Sequence, residues 1–379
     1  MMEGSEVEID IEKMLDEANP KVSDDANNKA SIYRVPFSIR RVKEDAYTPT
    51  VVSIGPFHHG QHPRLQNMER QKLIFVDSGF ILELFRRYYH NDWPQDDTFP
   101  LTPWLSSSIR KDLILLENQL PFFILHDLFN RSSSSASANN NIHLFLELTF
   151  HYFTYYNKSN LNFHNITIKH FTDLIRTFHL HHPDPKMQPP SRDGKLLTHF
   201  PSATELVAAG LRFKGNTESH CLLDLNFSRG VLEIPQLKVE DRTEILFRNM
   251  VALEQCLYPD QSYVTDYVVV LDFLINTGKD VDILVGKRVL LNWLGDSESV
   301  ANMFNGLCKN ITQTKFNSHY FTICQHLDAF HRNPWRNLKS TLRRDYCKTP
   351  WQTAASTAAI ILLMLTLVQT VCSILQVTK

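Results

Sequence analysis

The chain has few cysteines and no pattern among them. Six thiols in 379 residues (Cys221, Cys256, Cys308, Cys324, Cys347 and Cys372) form no C-x-x-C pair and lack the dense spacing of a small secreted scaffold. Reduced, mostly buried thiols are expected. Familiar catalytic signatures are missing too: there is no G-x-S-x-G elbow, G-x-x-x-x-G-K-[ST] loop, G-x-G-x-x-G or H-E-x-x-H. Nor is there an excess of charge of one sign. A formal net charge of -2 and a pI near 6.8 give no global attraction to phosphate backbones, so no nucleic-acid partner is expected. The opening "MMEGSEVEIDIEKMLDEA" is acidic and lacks the apolar core of a signal peptide, which predicts no secretory leader.

What is present is enough apolar residue, 43% against 21% charged, to bury one large or two modest cores. One apolar run stands apart. Ala354 to Leu375, "AASTAAIILLMLTLVQTVCSIL", carries no charge. As a helix it is about 33 Å long, against a hydrocarbon core of about 30 Å, which predicts a membrane-spanning segment. Trp351 sits at its near edge, where an amphipathic ring suits the headgroup region. Arg332, Arg336, Lys339, Arg343, Arg344 and Lys348 precede the run and only Lys379 follows it. The positive-inside bias then places the large amino-terminal part in the cytosol, in a single-pass protein of the plasma membrane or an endomembrane. N-x-[ST] sequons at Asn130, Asn157, Asn165, Asn226 and Asn310 are unsurprising in a chain this rich in Asn, Ser and Thr, and they do not overturn that topology.

Along the rest of the chain, residues 1–30 form an acidic segment with a short amphipathic helix. Residues 31–348 form the main domain, with internal loops near 131–141 and 183–195, and 349–379 form the anchor. "IYRVPFSIRRV" and "TPTVVSIGPF" read as short extended pieces punctuated by Pro36, Pro49 and a Gly55-Pro56 turn. Leu73, Val76, Phe80, Leu84 and Tyr88 recur at helical spacing and predict one inward face. "SATELVAAGL" reads as a helix capped by Ser202 or Thr204. "LRFKGN", "CLLDLNFSRG" and "VLEIPQLKV" read as a three-stranded antiparallel meander with its tight turn at Ser228-Arg229-Gly230. Helical patterns then resume, and the Gly-Lys pairs of "GKDVDILVGKR" fit turns and helix ends. The predicted fold class is α+β, predominantly α-helical with a small antiparallel β-meander, plus one carboxy-terminal transmembrane helix.

Two places invite a chemical reading. In "SSIRKDLILLENQLPFFILHDLF", Ile109, Leu113, Leu116 and Leu120 form an apolar stripe, and Glu117 falls on it. A carboxylate there needs a partner. Pro121 interrupts the helical pattern, and the simplest account has Glu117, Asn118 and Gln119 satisfying backbone groups at that junction. The other place is "GPFHHGQHP", with His58, His59 and His62. Zinc needs three or four convergent ligands, and a loop fixes no such convergence, so a structural corner is expected, with Phe57 plugging the core. "FHLHHP" (His179, His181, His182) likewise reads as a solvated loop. No catalytic residue, cofactor or metal is assigned; an enzymatic alternative would draw on His58, Glu69 and Glu117.

Six collinear stretches carry a resemblance: "IYRVPFSIRRVKEDAYTPTVVSIGPFHHGQHPRLQNMERQK", "DLILLENQLPFFIL", "SATELVAAGLRFK", "LEIPQLKVEDRTEILFRNMVALEQC", "DFLINTGKDVDIL" and "PWQTAASTAAIILLMLTLVQTV". Together they resemble the plant-specific domain-of-unknown-function 247 family, from about residue 7 to the carboxy terminus. The resemblance implies a carboxy-terminal transmembrane helix and no established biochemical activity. Some grass members are implicated in pollen-side self-incompatibility, which implies recognition rather than turnover. An interaction or recognition protein with an unidentified protein partner is the function expected.

Overall fold

The computed structural model describes residues 32–58, 67–94, 102–132, 138–164, 166–182, 184, 189–197, 199–333 and 350–377. Among them the chain forms α1 (Phe37–Arg40), α2 (Asn67–His90), α3 (Pro103–Asp112), α4 (Phe122–Ser132), α5 (Ala138–Tyr152) and α6 (Phe171–Leu180). Next come α7 (Ala203–Ala208), β1 (Arg212–Asn216), β2 (Asn226–Ser228), β3 (Val231–Pro235) and β4 (Leu237–Val239). The remainder is α8 (Thr243–Leu257), α9 (Tyr263–Leu274), α10 (Gly278–Gly286), β5 (Leu290–Asn292), α11 (Ser297–Leu307), α12 (Ser318–His331) and α13 (Pro350–Val377). The protein is mostly helical, with small sheets.

The local signals that start these helices are side-chain caps. Ser202 and Glu205 form a reciprocal capping box at α7, and Thr277 and Asp280 do the same at α10. Asp296 and Asn317 each accept two amides at the starts of α11 and α12. Every such cap satisfies amides that the helix itself leaves unpaired. Aromatic residues fill the amino-terminal half: Phe85 of α2 stacks on Tyr152 of α5 at 4.5 Å between centroids, and Phe153 and Phe171 crowd the same rings. Helices α8, α9, α10 and α11 pack around the second half, and α6 against α8 joins the two. A single large cluster of buried apolar residues runs through both halves.

The sheets correct the predicted meander. Arg229 (φ 50°) and Gly230 (φ 75°) do turn β2 into an antiparallel hairpin with β3, as the sequence indicates. Strand β1, however, lies parallel to β3 on its other side, in the order β1-β3-β2, so the sheet is mixed. The chain then leaves it at Gln236, whose amide still donates to Asn216, and β4 pairs in parallel with β5, more than fifty residues on. Gly215 permits this arrangement. Its amide donates to the Lys287 carbonyl, and a Cβ there would collide with the Arg288 carbonyl.

Two further expectations change. The inward face of α2 is carried by Ile74, Asp77, Ser78, Ile81, Leu84 and Phe85, while Val76 and Phe80 of the predicted stripe are 66% and 39% exposed. The reason is Asp77, which turns inward to accept the Gly55 amide at 2.8 Å. Of the predicted loop near 131–141, residues 131–132 belong to α4 and 138–141 to α5. Within the Pro-rich stretch near 183–195, where the described residues form no helix or strand, Arg192 is buried and grips Asp266 at 2.8 and 3.1 Å. The acidic segment 1–30 lies outside the described residues.

Candidate functional site

The first candidate region is the amino-terminal junction. Helix α3 stops at Asp112 because that carboxylate faces out of the helix to collect three successive amides, from Thr50, Val51 and Val52, at 2.6 to 3.0 Å. Residues 113–121 are then a buried, non-helical span, which corrects the expected helical stripe: of Ile109, Leu113, Leu116 and Leu120, only Ile109 is within a helix. Its exposed-in-principle backbone is satisfied by its own side chains. Gln119 Nε2 donates to the carbonyls of Leu113, Leu115 and Asn118, and its Oε1 accepts the Phe171 amide. Asn118 takes the Ile54 amide and donates to the carbonyls of Val52 and Asp112. Glu117 is buried; its Oε1 accepts the Val35 amide at 3.0 Å and its Oε2 accepts Arg40 Nε at 3.0 Å.

The tripeptide therefore does what the sequence predicts of it, satisfying backbone groups at the junction. It also holds the segment from Val35 to Gly55 against the core. Val35, Ile39, Ala46 and Tyr47 form a small second core with Leu116, Ala252 and Leu253. Asn249 of α8 ties it down, accepting the Leu116 amide and donating to the Ala46 carbonyl.

His58 and Glu117 line one open cleft of about 580 Å³ together with Arg34, Arg40 and Phe57. Both Glu117 oxygens are already engaged within it. Phe57 does not plug the core as expected. It is half-buried, with the Arg34 guanidinium 5.2 Å from its ring centroid, and Ile54 and Gly55 are the buried residues of that corner. Gly55 makes the turn at φ 71°. Glu69 belongs to α2, but its side chain lies outside the description, as do His59 and His62. Among the described residues no group of three His, Cys, Asp or Glu side chains is disposed to hold a metal, and the five cysteines described are free thiols. Of "FHLHHP", His179 lies within α6, where burial lowers its pKa, and not in a solvated loop.

The second candidate region is a cleft that no motif announces. It encloses about 280 Å³ between the chain just past α5, the β3–β4 corner and the start of α8. Phe178, Leu222, Leu246 and Phe247 give it an apolar lining, while Lys158, Lys238 and Arg242 stand around it. Tyr155 organises that rim. Its hydroxyl donates to Glu240 at 2.6 Å, Lys158 Nζ lies 4.7 Å from its ring centroid, and the Arg242 guanidinium lies 5.1 Å from it. Glu240 also pairs with Lys238 at 2.6 Å. Burial pushes the Glu240 carboxyl up, but Lys238 and Tyr155 outweigh it and hold the pKa below the usual value. Tyr156 is buried, its hydroxyl finds no hydrogen-bond partner among the described residues, and burial pushes its pKa up to about 12. Sequence reading misses this region because its residues come from five separated stretches with no shared period.

The third feature is α13. Ala354–Ile374 is long and apolar enough to cross a membrane, and none of it is buried inside the fold. Its basic flank at 334–349 lies outside the described residues.

Against known proteins, the profile of the family DUF247, described as plant protein of unknown function, matches residues 32–75 and 72–365. The UPF0481 protein At3g47200 of Arabidopsis thaliana is 27% identical over 418 residues, covering 91% of this chain and 86% of that protein. The putative UPF0481 protein At3g02645 of the same plant is 28% identical over 171 residues, 45% of this chain and 32% of its own length. No solved structure matches.

Proposed function

The chain belongs to the DUF247 family of plant proteins of unknown function, and from that premise we propose that it is a single-pass membrane protein whose folded domain recognises a protein partner. The observation that carries the reading is α13. A helix with Ile360, Leu362, Leu363, Met364 and Leu367 all exposed would be insoluble as an isolated rod in water, and hydrocarbon is the solvent that suits it. The basic residues before it favour a cytosolic domain. Recognition is favoured over turnover by the junction geometry, in which Glu117 serves the backbone and a cation instead of standing ready for a substrate. It agrees in kind with the pollen-side role in which some grass members of the family are implicated.

The partner surface proposed is the outer side of α2, where Phe75 (53% exposed), Val76 and Phe80 make an apolar patch one helical turn long. Proximity labelling in native tissue with the wild type and with Val76→Asp tests it. One reproducible neighbour lost on substitution supports recognition; the same neighbours with both chains, or none with either, contradicts it.

A further inference from the structure

We propose that the tyrosine-walled cleft binds a small amphiphilic anion, a flat apolar body carrying one carboxylate. The charge count at the cleft points to an anion, because Lys158, Lys238 and Arg242 face a single carboxylate, Glu240. Glu240 is largely spoken for by Lys238 and the Tyr155 hydroxyl, whereas Arg242 Nε stays 3.9 Å from it. Lys158 makes no ion pair among the described residues. Lys158 and Arg242 thus both lie against the Tyr155 ring, and of the two only Arg242 reaches Glu240, in a long 3.9 Å ion pair. That arrangement leaves charge available to a ligand.

The lining decides the rest of the ligand. Leu222, Leu246 and Phe247 offer only apolar contact, and the enclosed volume is near the low end of small-molecule pockets, about 300 to 1,000 Å³. A polar chamber of about 460 Å³ adjoins the cleft and shares Lys158 and His220 with it. Lys158 therefore stands where apolar lining gives way to polar. Glu218 borders the polar chamber, which sets the carboxylate on the Arg242 side. The start of α8 adds to the field: no side chain caps that helix, and Arg242 and Thr243 at its first positions line the cleft. Tyr156 lines the same cleft, and its buried hydroxyl, without a hydrogen-bond partner among the described residues, offers a donor to a bound oxygen.

The test uses the full chain in lipid nanodiscs, with empty nanodiscs as the blank, and measures calorimetric binding of 2-naphthoate, the neutral 2-naphthamide and inorganic phosphate. Saturable binding of naphthoate is expected, with the amide and phosphate each weaker by about tenfold or more. Arg242→Gln and Lys158→Glu should each weaken naphthoate by about tenfold. Lys158 is exposed, so that variant keeps its fold. Tyr156→Phe removes only the unpartnered hydroxyl; it should weaken naphthoate about threefold and leave the melting temperature at or above that of the wild type. Equal affinity for naphthoate and naphthamide, or naphthoate binding that survives both charge substitutions, overturns the proposal.

Discussion

Replacing Glu117 by Ala should detach the amino-terminal segment from the core before the rest of the protein unfolds. In the native chain one buried carboxylate accepts the Val35 amide and Arg40 Nε, both at 3.0 Å. Alanine leaves the Val35 amide buried beside Leu116 with no acceptor, which costs about 1 to 3 kcal/mol. Losing the Arg40 bond adds less, about 0.5 to 1 kcal/mol, because Arg40 is partly exposed and still bonds Thr48 and Glu44. The sum is about 1.5 to 4 kcal/mol, and it falls on the small second core of Val35, Ile39 and Tyr47. Glu117→Gln keeps one acceptor for the amide but can present a donor to Arg40, so its cost should be about half as large. The assays are urea unfolding and amide hydrogen exchange of the full chain in nanodiscs. Exchange should accelerate first from Val35 to Tyr47, while α9 stays protected. A change below about 0.5 kcal/mol with unchanged protection of Val35 would refute the reasoning.

Further outcomes test other parts of the structure. Gly55→Val places a β-branched residue at φ 71°, with its Cβ 2.8 Å from the Gln119 carbonyl oxygen, and should cost at least about 2 kcal/mol in thermal unfolding. His58→Gln keeps hydrogen-bonding capacity on a half-buried side chain and should stay within about 0.5 kcal/mol of the wild type. His170 caps α6 by accepting the Asp173 amide, and full burial lowers its pKa from 6.5 to about 4. The unfolded chain therefore binds the proton first as pH falls, so this contribution to stability is complete above 6.5 and is lost as pH drops through 4. That gap is worth about 3 kcal/mol, and His170→Ser, which retains a capping oxygen, should flatten stability across the window; an unchanged pH profile would contradict the assignment.

The parts of the fold legible in the sequence are those decided locally. Ser202 and Glu205 form their capping box three residues apart, Arg229-Gly230 makes its own turn, and the apolar run of α13 is contiguous. Periodicity failed where a distant group outbid it. Helix α3 ends at Asp112 because amides sixty residues earlier need that carboxylate, and α2 turns Val76 outward because Asp77 is needed inside by Gly55. The seating of β1 against the turn after α10 depends on Gly215, and no window of sequence contains both. At the junction the residue types sufficed, since a carboxylate, an amide and another amide in an apolar setting must find backbone partners. The tyrosine-walled cleft had no such local mark.

Membrane crossing by α13 is the central claim, and topology in sealed microsomes tests it most directly. A full-length chain tagged before Met1 and after Lys379 should stay in the pellet through alkaline carbonate extraction. Added protease should remove the amino-terminal tag without detergent and spare the carboxy-terminal one. Release of the chain by carbonate, or protection of the amino-terminal tag, would contradict the account.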